Sequence, residues 1–318
     1  MESKNHIVQA KEITKMFGQK IAVERVSFYV KKGEIFGFLG PNGAGKTTTI
    51  RMLTALLVPD NGEIIIDGID ISKHPVQAKL RLGVIPETSN IYADLTARQN
   101  IILSGRFYGL TRKRLKARTD ELLDKFGLYD RRDDTAKTFS KGMKQKLSIA
   151  SAIIHEPPIL FLDEPTSGLD VQSQRFIRAI VKDMNAKGTT VFLTTHNIEE
   201  ANLLCERICI INNGRIAAID SPEKLKRTFQ KTQSIEIAFE SMVTDNLFAD
   251  QNFTEKIEKL GDKWKLYTAE PDKLIKHLIT LAKANDLTIT SLQICGASLE
   301  EAFLEITKDK SYAVREIQ

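Results

Sequence analysis

The sequence of 318 residues predicts an α/β fold built around a mainly parallel β-sheet. Two observations carry this prediction. A glycine-rich segment at residues 40–47 lies between an apolar strand pattern and a helix pattern. Further along, helix and strand patterns alternate from about residue 142 to residue 205. Such alternation is typical of parallel strands that are joined by crossover helices.

The glycine-rich segment fits the phosphate-loop pattern G-x-x-x-x-G-K-[ST]. Glycines let backbone N–H groups turn towards an anion, the lysine can reach the outer phosphates of a nucleotide, and the hydroxyl after it can ligate Mg²⁺. A helix that begins here also points its positive end at the phosphates. The alternative is a glycine-rich turn that binds nothing. The candidate nucleotide-binding residues of this loop are Gly40, Pro41, Asn42, Gly43, Ala44, Gly45, Lys46, Thr47 and Thr48.

Local patterns predict the elements around this loop. A helix over residues 46–57 would place Ile50, Leu53, Leu56 and Leu57 on one face. The other elements predicted in this part are strands from residue 7 to about 30 with a turn near 18–19, a buried strand over 34–39 and a β-hairpin over 62–71.

Residues 96–138 are rich in helix formers and predict a helical insertion between two parts of the α/β core. The core then resumes. Its predicted elements are a helix over about 142–155, a strand over 159–163, a helix over 171–186, a strand over 189–194, a helix over 197–205 and a hairpin with strands at 208–211 and 216–219.

The strand predicted over 159–163 ends in two carboxylates, Asp163 and Glu164. In an open α/β sheet the carboxyl ends of the strands face the ligand crevice. Asp163 can hold Mg²⁺ there, usually through water, and Glu164 can orient and deprotonate an attacking water. The alternative is an ordinary surface pair beyond a core strand.

The chain after Ser221-Pro222 changes in composition and carries no nucleotide motif. We place a domain boundary near 225–232 and divide the chain into residues 1–228 and 229–318. The second part predicts a small α+β domain, with strands at 235–239, 264–267 and 287–293 and helices at 271–284 and 298–307.

Composition excludes several classes of protein. The formal charge of +5 is modest, and no uninterrupted apolar run reaches 18 residues, so no segment is expected to span a bilayer. The polar N-terminal residues lack the apolar core of a signal peptide. An odd number of cysteines, three, favours reduced thiols in the cytosol, and we interpret Cys205 and Cys209 as small buried apolar residues.

A basic cluster on a predicted helix leaves two interpretations open. It is a solvated helix face, or it is attracted to anionic lipid headgroups beside a membrane partner. Nucleic acid is not expected as a partner, because the cluster lacks interleaved aromatic residues. The cluster consists of Arg112, Lys113, Arg114, Lys116 and Arg118.

The order of these motifs resembles that of the nucleotide-binding subunits of ABC transporters, over about residues 5–225. The resemblance implies a P-loop NTPase core with an antiparallel β subdomain and a helical subdomain at about 96–138. It also implies that the chain hydrolyses ATP with Mg²⁺. The C-terminal part resembles an accessory domain that is common on the ATPase subunits of bacterial exporters, where its role would be dimer stabilisation or regulation.

The resemblance assigns further residues. Phe139-Ser140-Lys141-Gly142-Met143 resembles the ABC signature, with Ser140 and Gly142 kept and Lys141 and Met143 replacing the usual glycine and glutamine. Phe17 matches the aromatic residue that stacks on adenine. His196 matches the switch histidine, whose ring contacts the γ-phosphate.

Two more segments match the family. Residues 167–170 match the D-loop, which runs along the dimer seam in the family. Glu87 stands where the family usually has the glutamine of the Q-loop. A carboxylate there still ligates Mg²⁺ directly or through water, but it adds a negative charge beside the triphosphate. We therefore expect an altered affinity for Mg²⁺ or ATP.

In the family the signature of one subunit covers the nucleotide on the other, so a chain with one cassette needs a second cassette. The resemblance implies a homodimer with two ATP molecules at the seam, bound to a separate transmembrane permease. The expected location is cytoplasmic, peripheral on the inner face of the cell membrane. The expected function is the motor of an efflux system. The alternative is an ABC-type ATPase that acts on ribosomes or nucleic acid.

Overall fold

The structure is a computed structural model and describes residues 5–88, 90–228, 233–248, 254–296 and 298–308. These residues form two compact units, one up to Ser221 and one from Pro222 onward. The helix Pro222–Thr228 therefore groups with the second unit. The functional division after residue 228 stays a prediction.

The first unit contains the alternating helices and strands that the sequence predicts after residue 142. Its elements in chain order are β1 (His6–Phe17), β2 (Lys20–Lys31), β3 (Ile35–Leu39), α1 (Lys46–Leu53), β4 (Asn61–Ile66), β5 (Ile69–Asp70), α2 (Pro75–Lys79), β6 (Leu82–Ile85), α3 (Ala97–Phe107), α4 (Arg112–Lys125), α5 (Lys141–Ala152), β7 (Ile159–Asp163), α6 (Val171–Ala186), β8 (Thr190–Thr195), α7 (Ile198–Leu204), β9 (Arg207–Asn212) and β10 (Arg215–Asp220). The unit thus also contains α2 and β6, which the sequence did not predict.

A six-stranded sheet in the order β10-β9-β3-β8-β7-β6 forms the centre of this unit. All neighbouring strands are parallel except β9 and β10, which form a hairpin. Strands β3, β7 and β8 are buried along their whole length, which explains their continuous apolar sequence. Their carboxyl ends therefore deliver residues 40, 164 and 196 to one edge of the sheet.

A second sheet, in the order β2-β1-β4-β5, is entirely antiparallel. It packs on the parallel sheet through aromatic rings. The ring of Phe28 on β2 lies 5.6 Å from those of Phe36 and Phe38 on β3 and 5.9 Å from that of Phe192 on β8. This contact joins the two sheets into one apolar core and confirms the expected combination of parallel and antiparallel sheets.

The insertion between β6 and β7 is helical, as predicted. Helix α3 begins with a complete capping box, in which Thr96 and Gln99 each bond the other's backbone N–H. The ring of Tyr108, just after α3, stacks at 3.4 Å on that of His155, which follows α5. His155 Nε2 and the Tyr108 hydroxyl both bond the carbonyl oxygen of Leu82 on β6. The insertion is thus tied to the strand that leads to residue 87.

The second unit is α+β. Its elements are α8 (Pro222–Thr228), β11 (Gln233–Phe239), β12 (Lys256–Leu260), β13 (Lys263–Thr268), α9 (Pro271–Ala284), β14 (Ile289–Cys295) and α10 (Leu299–Lys308). The strands form an antiparallel sheet in the order β12-β13-β11-β14. Its core packs Ile235, Ile237, Trp264 and Leu266 of the sheet with Leu274 and Leu278 of α9.

The helix predicted over 46–57 is too long, because α1 ends at Leu53. Thr54 donates its hydroxyl back to the carbonyl of Ile50, and Ala55 adopts a left-handed φ of 54°. The N–H groups of Leu56 and Leu57 then both bond the carbonyl of Arg51. Leu56 is 65% exposed and does not share the buried face of the helix.

Helices long and apolar enough to cross a membrane do not occur among the residues that the structure describes.

Candidate functional site

The phosphate loop connects β3 to α1 and turns tightly at Gly45, the N-cap of α1. Gly45 has a φ of 109°, and a Cβ there would lie 2.6 Å from the carbonyl oxygen of Ala22. Only glycine fits both conditions. No side chain caps the first turn of α1, so its N–H groups are available to an anion. This is the cradle that the sequence predicts.

Lys46 lies at the centre of this loop and is only 6% exposed. Its ammonium donates to the carbonyls of Gly40 at 2.7 Å and Pro41 at 3.3 Å. It also lies 3.6 Å from Oε1 of Glu164. A buried ammonium held by neutral carbonyls and one carboxylate has the reach and the charge to bind phosphate oxygens.

Asp163 ends β7 with a side chain that is buried against β8, where the hydroxyl of Thr194 donates to Oδ1. Burial raises the pKa of Asp163, and the negative charges of Glu87 and Glu164 add to the rise. Hydrogen bonds from the Thr194 and Thr47 hydroxyls oppose it. An acid crowded by like charges beside a hydroxyl is a fitting place for a divalent cation.

Glu164 follows β7 and is 9% exposed, in the left-handed conformation with a φ of 50°. Its Oε2 lies 2.8 Å from Nδ1 of His196, which follows β8. Because a carboxylate only accepts hydrogen bonds, the Nδ1–H of His196 is the donor. The histidine side chain is 53% exposed. The arrangement holds a buried carboxylate between a cation and an imidazole that faces solvent.

Lys46, Glu164 and His196 line one cavity of about 580 Å³, and Asp163 does not reach its surface. Phe17, 53% exposed at the end of β1, lies in its wall together with Glu87. The sequence-predicted residues in the lining are Phe17, Asn42, Gly43, Gly45, Lys46, Thr47, Thr48, Glu87, Glu164 and His196. A cavity whose wall contains both an exposed aromatic ring and a phosphate loop offers contacts for the base and for the phosphates of a nucleotide.

Three lining residues were not predicted as ligands: Lys20, Ala22 and Ser167. Lys20 begins β2, directly after the turn that follows Phe17. Because Phe17 was assigned to the site, its neighbour Lys20 could have been predicted as a lining residue as well. Ser167 belongs to the segment that we interpreted as a D-loop. Ala22 also lines the cavity, and its carbonyl oxygen lies close to Gly45. The sequence alone does not indicate this contact.

Ser140 and Gly142 lie apart from this lining. Ser140 is exposed and caps α5 by accepting a hydrogen bond from the N–H of Met143 at 3.2 Å. Gly142 is buried where a Cβ would collide with the hydroxyl of Ser173 on α6.

Gly40, Pro41, Ala44 and Asp163 are also absent from the lining. Gly40 and Pro41 accept hydrogen bonds from the Lys46 ammonium, and Asp163 directly precedes Glu164. The structure therefore brings only part of the predicted site to the cavity surface, and the signature-like segment lies outside it.

Comparison with known proteins decides the family. Residues 23–167 match the model of the ABC transporter family. The linearmycin resistance ATP-binding protein LnrL of Bacillus subtilis is 37% identical over 95% of this chain and 98% of that protein. The chain belongs to the ATP-binding subunits of ABC transporters. A Nod factor export ATP-binding protein of Ralstonia nicotianae is 34% identical over 95% of this chain and 94% of that protein.

Solved structures agree with this assignment. The solved structure of an ATP-binding subunit of an ABC transporter is 33% identical, with a TM-score of 0.66 over 70% of this ABC subunit and 93% of that chain. A dimeric ATP-binding cassette in a post-hydrolysis state with ADP and Pi is 28% identical, with a TM-score of 0.62 over 67% of this chain and 98% of that one. This ABC subunit is an ATPase that uses ATP and Mg²⁺, and the predicted fold class is confirmed.

Proposed function

We propose that this ABC subunit is the motor of an efflux system, and that two copies act on a separate membrane permease. The observation that carries the proposal is the alignment with a linearmycin resistance ATP-binding protein and a Nod factor export ATP-binding protein over 95% of the chain. The alignment extends beyond the ATPase core into the C-terminal unit, so the likeness is to whole export subunits.

Hydrolysis needs a base, a cation and a switch, and the cavity supplies a candidate for each. Glu164 is the proposed base that takes a proton from the attacking water. Lys46 neutralises the outer phosphates, and His196 orients Glu164 through the 2.8 Å hydrogen bond. Removing Lys46 or His196 would leave a buried carboxylate with one partner fewer.

Mg²⁺ would be held by Thr47, Asp163 and Glu87. The pKa of Asp163 supports their proximity, because a hydrogen bond from the Thr47 hydroxyl lowers it and the negative charge of Glu87 raises it. The metal would neutralise charge on the phosphates. Phe17 is the proposed stacking platform for adenine. The Lys15 ammonium lies 5.9 Å from the centroid of its ring.

Ser140 and Gly142 are proposed to cover the nucleotide on a second copy. Their position outside the cavity of their own chain supports this role. The N-terminus of α5 offers N–H groups to a phosphate, and its first turn contains no acidic residue that would repel one. ATP would close the pair, and loss of the γ-phosphate contacts would release it.

The helical insertion and the segment from Thr88 to Leu95 are the proposed contact with the permease. The structure describes this segment except for residue 89, and Asn100 of α3 holds it by bonding the N–H and carbonyl of Tyr92 and the carbonyl of Leu95. Tyr92 and Phe107 are 54% and 69% exposed. Apolar side chains anchored on a rigid helix suit a protein interface. The proposed location follows: cytoplasmic, on the inner face of the membrane.

The C-terminal part, residues 229–318 in the division proposed from sequence, is assigned to dimer stabilisation or regulation. Its own sheet and apolar core support an independent folding unit.

Reconstitution tests this function. The subunit is co-expressed with each membrane protein encoded beside it, and complexes are purified through a tag on the subunit. We expect a polytopic membrane protein to co-purify and to raise ATP turnover, and a Glu164→Gln subunit to co-purify without turnover. Co-sedimentation with ribosomes or DNA, in place of a membrane protein, would contradict the proposal.

A further inference from the structure

Glu200, in the first turn of α7, is a carboxylate with no exposed surface. Its Oε1 accepts a hydrogen bond from the hydroxyl of Thr166 at 2.8 Å, and Arg178 Nε lies 3.6 Å from the same oxygen. Within the part of the chain that the structure describes, Glu200 Oε2 and Arg178 Nε have no hydrogen-bond partner. Thr166 is itself only 4% exposed.

Such a group is costly. A buried charge that is incompletely paired lowers the free energy of unfolding, and an apolar residue of similar size would often be neutral or stabilising. Arg178 is too far from Glu200 for a hydrogen bond, so the contact that Glu200 makes well is the one to Thr166. The contact is important because Thr166 and Glu200 each lie close in sequence to a residue of the proposed catalytic pair.

Thr166 lies two residues after Glu164, and Glu200 lies four residues after His196. The bond between them therefore joins the loop that leaves the proposed base to the helix that follows the proposed switch histidine. The same helix is held at its start by Asn197, whose Oδ1 accepts from the N–H of Glu200 at 3.0 Å. The loop after Glu164 and the helix after His196 are thus joined by a second hydrogen bond besides the Glu164–His196 bond.

The backbone of Glu164 needs such support. A φ of 50° is unfavourable for a residue with a side chain and persists only where neighbours enforce it. The N–H of Glu164 donates to the carbonyl of Thr194 at 3.1 Å. On the other side, Gln145 of α5 donates its amide to the carbonyl of Pro165 at 3.0 Å. The Thr166–Glu200 bond adds a side-chain restraint to the same segment.

We propose that Glu200 and Thr166 are positioning residues for ATP hydrolysis. They fix the loop after Glu164 to α7 and so hold the Glu164 carboxylate within hydrogen-bonding distance of His196. Neither residue lines the cavity, so we expect them to affect the rate of hydrolysis and not the affinity for ATP. This inference rests on the proposed roles of Glu164 and His196.

The test compares Thr166→Val with wild type in a steady-state ATPase assay of the full chain. Valine keeps the shape and removes the hydroxyl. We expect kcat to fall about tenfold or more, with KM and the Kd for ATP changed less than twofold, as about 1.4 kcal/mol lost only in the transition state would give. Thr166→Ser keeps the hydroxyl and should recover most of kcat.

Thr119→Val is the matched control. Thr119 in α4 is also fully buried, and its hydroxyl has no partner among the described residues. This substitution should leave kcat unchanged. If Thr166→Val does not fold, Glu200→Gln replaces it. The amide keeps the shape but weakens a charge-assisted hydrogen bond, so kcat should fall about threefold at constant KM.

A double mutant separates positioning from general loosening. In a His196→Ala background the geometry that Thr166 maintains no longer matters, so Thr166→Val should lower kcat by less than twofold further. A full tenfold additional loss would overturn the proposal, as would an unchanged kcat in the single variant. Undiminished turnover in Glu164→Gln would instead refute the proposed base, whatever Thr166→Val does.

Discussion

Oε2 of Glu164 lies 2.8 Å from Nδ1 of His196, while Oε1 of the same carboxylate lies 3.6 Å from the Lys46 ammonium. Glu164 and His196 directly follow the neighbouring strands β7 and β8, and Lys46 begins the helix that follows β3, which pairs with β8. One buried carboxylate thus contacts both the proposed phosphate ligand and the proposed switch residue. The geometry couples recognition of the outer phosphate to the group that would activate water.

Lys46→Ala is expected to abolish high-affinity nucleotide binding. The ammonium is the buried cation at the centre of the phosphate loop, and loss of a charge-assisted contact of about 3 kcal/mol weakens binding about 100-fold. Isothermal titration calorimetry with ATP and Mg²⁺ measures the change. Lys73→Ala, which removes a lysine that is 71% exposed on the surface, is the control and should bind normally.

Normal ATP affinity in Lys46→Ala, with the control unchanged, would refute the assignment of the phosphate loop.

Glu87→Gln is expected to be tolerated. Glu87 is exposed at the edge of the cavity, where one charge contributes about 1 kcal/mol or less, so ATP affinity should rise by up to about fivefold and turnover should persist. Titration with ATP in the presence of Mg²⁺ measures the affinity, and a steady-state ATPase assay measures the turnover. Glu121→Gln, an exposed change on α4, serves as the reference. An inactive Glu87→Gln enzyme would give the carboxylate a role beyond metal binding.

His155 makes stability depend on pH. Burial lowers its pKa from 6.5 to about 4, only partly offset by the hydrogen bond to the Leu82 carbonyl. The unfolded chain therefore takes up a proton that the native chain excludes as pH falls below 6.5. The contribution of neutral His155 to the free energy of unfolding is therefore fully present above pH 6.5 and is lost as the pH falls towards 4.

Urea unfolding of wild type and His155→Phe at pH 7 and pH 5 measures this effect. Phenylalanine keeps the ring stack on Tyr108 and removes the titration. Wild type should lose about 1 kcal/mol more than the variant between these pH values, after allowance for the partial exposure of the histidine. His74→Phe, a change at an exposed histidine, should behave as wild type. Equal losses in wild type and His155→Phe would contradict the account.

Much of the fold was predictable because its signals are local. Strand Ile159–Asp163 and helix Val171–Ala186 have the predicted bounds, since one is a continuous apolar run and the other starts at the N-cap Asp170. Strand Lys256–Leu260 was missed. It pairs with one neighbour at the edge of its sheet and has no buried face, so its sequence carries no alternation of apolar and polar residues.

The candidate site divides in the same way. The phosphate loop is one continuous segment and Asp163 and Glu164 are adjacent, so the chemistry of each motif can be recognised from the sequence. The residues that hold these motifs in place are distant in sequence. A charged residue in the first turn of a helix, such as Glu200, is expected at the surface from sequence alone. Only the fold brings it to Thr166, which lies 34 residues earlier in the chain. Lys20 lines the cavity too, and its place three residues after Phe17 was the one sequence signal for it.

Association of the Glu164→Gln protein on ATP tests the central claim most directly. Glutamine keeps the size of the side chain but does not act as a base, so turnover should fall about 100-fold or more while ATP still binds. Sedimentation velocity with saturating ATP and Mg²⁺ should then show a dimer, and the same protein with ADP should sediment as a monomer. A Lys46→Ala/Glu164→Gln protein should remain monomeric with either nucleotide. A Glu164→Gln protein that binds ATP by calorimetry yet stays monomeric, or that hydrolyses ATP at the wild-type rate, would contradict the account.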